Sequence, residues 1–158
     1  MNKILVNTIV ISAFATLANA GTLDSTHGDW DVYTDGGKSC YIASSPTKED
    51  GNWKKRGQPY VLIYSKGQAD EVNVSSGYPY KPSVGVEAKV DSKNFKLFSD
   101  GETAWAKDSK TDAQLVTWLR RGAKLEVKGV SKRGTYSVDT YSLKGVSAAY
   151  KRMKELCR

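Results

Sequence analysis

The stretch from Lys124 to Cys157 constrains the fold more than any other part of the chain. Lys124-Leu125-Glu126-Val127-Lys128 alternates charged and apolar residues, the period of a half-buried strand. Ser131-Lys132-Arg133-Gly134 is a four-residue turn, and the Thr-, Tyr- and Val-rich run after it suits a pleated surface. The period then changes. Val146, Ala149, Tyr150, Met153 and Cys157 fall on one face at helical spacing, with Lys151, Arg152, Lys154 and Glu155 on the other. Basic residues near the end of this helix suit its negative dipole pole. The chain has one other cysteine, Cys40, so a helix that ends on a cysteine reads as tied back onto the sheet.

The 158 residues suffice for one domain with a real core, and not for two. Residues 1–20 are expected to stand outside it, as a cleaved signal peptide. Asn2-Lys3 is a short positive region, and Ile4 to Leu17 is apolar but too short to span a bilayer. Ala18-Asn19-Ala20 is a small-x-small cleavage site. No cysteine follows it, so no lipid anchor is expected, and no later stretch is apolar enough to cross a membrane. Residues 21–158 then form a single exported domain in an oxidising compartment. There Cys40 and Cys157 most simply form one disulfide, contributing about 4–5 kcal/mol in the chain-entropy model.

The remaining chain reads mostly as short strands. Gly21 to Gly28 is polar and expected to be loose. Trp30-Asp31-Val32-Tyr33 and Ser39-Cys40-Tyr41-Ile42-Ala43 flank a turn at Asp35-Gly36-Gly37. Ser44 to Gln58 reads as one long loop. Tyr60 to Tyr64 is continuously apolar and therefore central. Glu71 to Val74 follows, and Val84, Val86, Ala88 and Val90 alternate with polar neighbours. Phe95 to Phe98 and Thr103 to Ala106 flank Asp100-Gly101, a strong hairpin signal. One internal helix carries a capping box with Thr111 as N-cap and Gln114 reaching back. Its stripe is Leu115, Trp118 and Leu119, with Trp118 in the core, and Gly122 ends it. Eight or nine strands without βα alternation predict an antiparallel β-sandwich or flattened barrel, with the C-terminal helix packed on it.

Catalytic chemistry finds little footing. A triad needs a base beside its nucleophile, and His27 is the sole histidine. No nucleophile-elbow, phosphate-loop or dinucleotide glycine pattern occurs. Glu87, Glu102, Glu126 and Asp139 are available carboxylates, but Glu87 and Glu126 fall on the polar faces of strands, and Asp139 is placed to pair with Arg133 across the hairpin. With no Cys-x-x-Cys, neither a metal site nor a cofactor is expected. The formal net charge of +7, from which Lys3 is lost with the leader, favours anionic surfaces as partners. The most basic run is Trp53-Lys54-Lys55-Arg56, an aromatic beside three cations in the long loop. These four residues are the candidate binding cluster.

The run from Gly129 to Cys157, GVSKRGTYSVDTYSLKGVSAAYKRMKELC, resembles the C-terminal signature of the invasion-associated locus B family of bacterial envelope proteins. In that family a Gly-x-Ser-x-Arg-Gly-Thr turn leads into Asp-Thr-Tyr-Ser-Leu-x-Gly, an Ala-bearing helix and a terminal Cys. Trp30 to Tyr33, Lys38 to Tyr41, Ser76 to Lys81, Phe95 to Phe98, Ala104 to Ala106 and the Leu115-Val116 helix with Gly122 match in order. Many members carry a further cysteine near the first strand, where this chain has Tyr33 and its neighbours, so only the Cys40–Cys157 pair carries over. The resemblance implies an exported protein of the periplasm or outer membrane, with no catalytic residues to transfer. It implies a role in invasion of host cells (virulence) or in envelope integrity, through an envelope or host-surface partner. Nucleic acid is not the expected partner. The alternative is a cell-wall-acting enzyme or enzyme inhibitor in the periplasm.

Overall fold

In the β10–β11 hairpin, Lys124–Val130 pairs in continuous antiparallel register with Tyr136–Ser142, from Lys124 opposite Ser142 to Val130 opposite Tyr136. Leu125 and Val127 point inward and are buried, as the alternation predicts. A computed structural model describes the fold for residues 21–36, 39–67 and 69–157. The signal-peptide reading of residues 1–20, and Gly37 in the expected Asp35-Gly36-Gly37 turn, lie outside the described residues. In chain order the other elements are β1 (Thr22–His27), β2 (Trp30–Thr34), β3 (Ser39–Ser44), β4 (Lys48–Gly51), β5 (Tyr60–Lys66), β6 (Ala69–Ser75), β7 (Val86–Val90), β8 (Lys93–Asp100), β9 (Thr103–Trp105), α1 (Ser109–Arg121) and α2 (Val146–Leu156).

Every strand pairing is antiparallel, in the order β1-β2-β3-β5-β6-β9-β8-β7-β10-β11-β4. β8 belongs to both halves of this sheet: Lys93 to Leu97 pairs with β7, and Phe98 to Asp100 pairs with β9. The inward residues of the two halves form one core, with Trp30, Val32, Ile42 and Ile63 from one and Val86, Val90, Leu97 and Val127 from the other. Trp30 also donates its indole N–H to the Ser142 carbonyl at 3.0 Å, joining the start of β2 to the end of β11. This is the mainly β, flattened architecture that the strand pattern predicts.

Helix α2 lies on β1, β2 and β3 and buries Val146, Ala149 and Met153. Its N-cap is Gly145, at φ 94°. A Cβ there would collide with the His27 carbonyl, so the β1–β2 turn is seated directly on the helix start. At the other end Cys157 is bonded to Cys40 of β3, with Cα atoms 5.9 Å apart. The expected disulfide is therefore present, and it fastens the last helix to a central strand.

Several expectations need correction. There are eleven strands among the described residues, not eight or nine. The segment expected to be loose at Gly21 to Gly28 contains β1, because its backbone pairs with β2 even though none of its residues is buried. The long loop contains β4, an all-exposed edge strand paired with β11. Val84 precedes β7 and is 37% exposed. The α1 N-cap is Asp108, not Thr111: the Asp108 carboxylate accepts from Thr111 N at 2.7 Å. Trp118 is 39% exposed, because the buried stripe of α1 runs through Asp112, Leu115, Val116 and Leu119. Asp112 turns inward to accept the Val72 N–H at 3.0 Å, closing a gap in the edge of β6.

Candidate functional site

β4 carries the chain alongside β11 and so delivers the following loop to the β10–β11 turn. Asn52 N donates to the Tyr136 carbonyl at 3.2 Å, and Tyr136 N donates back to the Asn52 side-chain oxygen at 2.8 Å. Further along, Gly57 N donates to Gly77 O at 2.8 Å. Gly77 has φ 71°, and a Cβ on it would collide with the Gly57 carbonyl, so the two backbones touch without side chains between them. The third wall is the turn itself. Ser131 N donates to Thr135 O at 2.8 Å, the two side-chain hydroxyls share a 2.6 Å hydrogen bond, and Lys132 N donates to Pro79 O at 3.0 Å. Three loops are thus fixed to one another before any ligand arrives.

Between them lies a groove of about 640 Å³. Trp53, Tyr78 and Pro79 supply its apolar surface, and Lys54, Lys55, Lys132 and Arg133 supply four cations. All four cationic residues are exposed, and no Asp or Glu lines the groove. Burial pushes the Tyr78 hydroxyl up, and its 2.7 Å hydrogen bond with Ser137 keeps it inside the wall as a neutral group. The charge of the groove is therefore wholly positive.

The four residues of the sequence cluster separate. Lys54 and Lys55 are exposed and line the groove. Trp53 is half-buried and also lines it. Arg56 does not reach it. Its side chain is 2% exposed and forms a two-pronged pair with Asp139, 0% exposed, at 2.6 and 2.9 Å. It also binds Glu49 and the Ser76 carbonyl, and its guanidinium lies 4.3 Å from the centre of the Trp53 ring. Burial works against the Arg56 charge, but the hydrogen bonds to Asp139 and Glu49 outweigh it and raise its pKa. Asp139 thus pairs with Arg56 and not with Arg133, because β11 turns Asp139 into the interior while Arg133 stays in the exposed turn. Arg56 is the post on which Trp53 and its two lysines are mounted.

Lys132, Arg133, Tyr78 and Pro79 are the groove residues that sequence reasoning missed. The available signal was Lys132-Arg133 in a turn, and it pointed nowhere until β4 brought the 52–55 loop beside it. The lone histidine sits on β1, where His27 Nε2 lies 3.1 Å from Ser25 Oγ. Asp24 is bonded to Ser25 and to Arg152, which holds its carboxyl at a pKa of about 2. It does not orient the imidazole as the third member of a triad does. Among the described residues no group of metal-binding side chains occurs, and no helix is long and apolar enough to cross a membrane.

Comparison with known proteins matches the fold and the signature. None of the curated proteins matches this sequence. The crystal structure of invasion associated protein B from Bartonella henselae is similar, with a TM-score of 0.62 at 18% identity, over 85% of this chain and 98% of that one. At that identity the likeness is one of fold. The family model described as invasion associated locus B (IalB) protein matches residues 30–154, which include all three walls of the groove. The chain belongs to the invasion associated locus B family.

Proposed function

We propose that this protein is a non-catalytic, exported envelope protein that binds an anionic partner in the groove between the 52–55 loop and the 131–135 turn. The observation that carries this reading is the composition of that groove: four exposed cations around an aromatic floor, with no carboxylate. Phosphates, carboxylates or sulfates would meet the lysines and Arg133, and Trp53 offers a ring face to a sugar or other apolar surface. The fixed loops favour binding, since little of the site must be ordered on contact. The same arrangement lacks a base beside a nucleophile, which favours binding over catalysis. Residues 1–20 have the order of a signal peptide, which favours a periplasmic or outer-membrane location. A role in invasion of host cells or in envelope integrity would follow from engagement of a bacterial or host anionic component there.

The test replaces Lys54, Lys55, Lys132 and Arg133 with Ala and leaves Arg56 in place. Binding to outer-membrane vesicles and to dextran sulfate is then measured at two salt concentrations. Wild-type binding should fall as salt rises, because exposed charges are screened within about 10 Å at 0.1 M. The variant should bind at least about tenfold more weakly at low salt, the equivalent of about 1.4 kcal/mol. Its unfolding midpoint should stay near wild type, since surface substitutions cost within about 0.5 kcal/mol each. Equal binding by the two proteins at low salt would place the contact surface elsewhere.

A further inference from the structure

A second groove shares no lining residue with the basic groove and is independent of it. β8 is paired along only half of one edge. Its partner there, β9, covers Phe98 to Asp100 and ends at Trp105, where the chain leaves toward α1. Lys93 to Leu97 is paired with β7 alone. The direction of the free backbone groups follows from register. Val90 and Lys93 close a hairpin around Asp91 and Ser92, so Lys93, Phe95 and Leu97 hydrogen-bond β7, and the alternate residues turn their N–H and C=O groups away. The second hairpin, closed by Asp100 and Thr103, fixes the same parity: Phe98 and Asp100 spend theirs on β9. Asn94 and Lys96 therefore face the open side, and both are exposed.

The gap has two walls, and among the described residues only one is capped. On the β6 side the Val72 N–H is met by the Asp112 carboxylate. On the β8 side a groove of about 590 Å³ is lined by residues 93–99 of β8, with Lys107, Thr111 and Gln114 lining it from the α1 side. Lys93 and Lys96 line it too, no Asp or Glu does, and Val84 and Phe98 lie in it at 37% and 43% exposure. Unpaired edges recruit strands, and here the edge is joined to apolar surface and to three cations.

We propose that the open half-edge of β8 takes an extended acidic peptide segment as an added strand between β8 and α1. Main-chain hydrogen bonds to Asn94 and Lys96 hold the segment. Its carboxylates meet Lys93, Lys96 and Lys107, and its apolar side chains cover Val84 and Phe98. An anionic lipid surface would use the same lysines but would have no use for the backbone edge, so the exposed ladder groups favour the peptide.

The probe is a fluorescein-labelled heptapeptide alternating Val and Glu, with the Val–Lys peptide and phosphatidylglycerol vesicles as comparisons. Binding is read by fluorescence anisotropy with wild type, Asn94→Ala and Asn94→Pro. Proline removes only an N–H that points away from β7, which an edge position tolerates. Asn94→Pro should weaken binding of the Val–Glu peptide about tenfold, the scale of a lost hydrogen bond. Asn94→Ala should bind within about twofold of wild type, because the side chain is not used. Equal binding by Asn94→Pro, equal binding of the Val–Lys peptide, or binding of the vesicles without the peptide would overturn the proposal. Should Asn94→Pro lose its fold by circular dichroism, amide exchange in wild type decides. Slowed exchange at Asn94 and Lys96 with the Val–Glu peptide supports strand addition, and unchanged exchange refutes it.

Discussion

Replacing Arg56 with Ala should destabilise the protein by about 3–5 kcal/mol, the cost of breaking a buried pair and leaving its other charge behind. The Asp139 side chain is fully buried, and Arg56 is the only cation within bonding distance of it among the described residues. Without the guanidinium, that carboxylate must stay charged in the interior or take up a proton. The Ser76 carbonyl loses its donor, and the Trp53 ring loses the cation beneath it. Such a loss is a large share of the roughly 5–15 kcal/mol by which domains are stable. Removing both charges with Arg56→Met and Asp139→Leu should recover most of it, since apolar groups of similar size can replace a buried pair. Urea unfolding of the three proteins checks this. An Arg56→Ala variant as stable as wild type would mean that the pair contributes nothing and that Arg56 is free to serve as a ligand contact.

The disulfide should matter as much. Substituting Cys40 and Cys157 together with Ala should cost on the order of 4–5 kcal/mol, because the bond closes a loop with a sequence separation of 117 residues. The loosening should begin at α2. Apart from its three buried apolar residues, that helix is held by polar ties near the surface. Arg152 pairs with Asp24, and Lys154 and Tyr150 both bind Asp70. Burial alone would raise the Asp70 carboxyl, but these hydrogen bonds outweigh it and hold its pKa below the ordinary value. Denaturation of wild type with and without a reductant is the measurement, with amide exchange showing whether residues 146–156 open first. Unchanged stability, or two free thiols by non-reducing mass spectrometry, would contradict this.

What could be read from the sequence follows from what each element buries. β5, β10 and α2 bury a regular apolar face, so their period in the sequence is their structure. β1 and β4 bury almost nothing and are strands only because a neighbour offers hydrogen bonds, and such pairing leaves no mark on residue type. Lys48-Glu49-Asp50-Gly51 looks like a solvated loop for that reason. In α1 the helical period was right but its phase was not. Asp112 and Val116 take the inward positions, which rotates Trp118 to the margin. The binding cluster failed to stay together for a related cause. Four adjacent residues in a loop point in different directions, and partners distant in sequence, above all Asp139 more than eighty residues away, turn Arg56 inward.

The proposed binding surface is the cationic groove, and not the whole basic run. The most direct measurement is an amide chemical-shift titration of residues 21–158 with a sulfated oligosaccharide at low salt. Shifts should concentrate at residues 52–55, 77–79 and 131–135 and fade as salt is added. Shifts spread over other faces, or none at concentrations where the vesicles bind, would contradict the account.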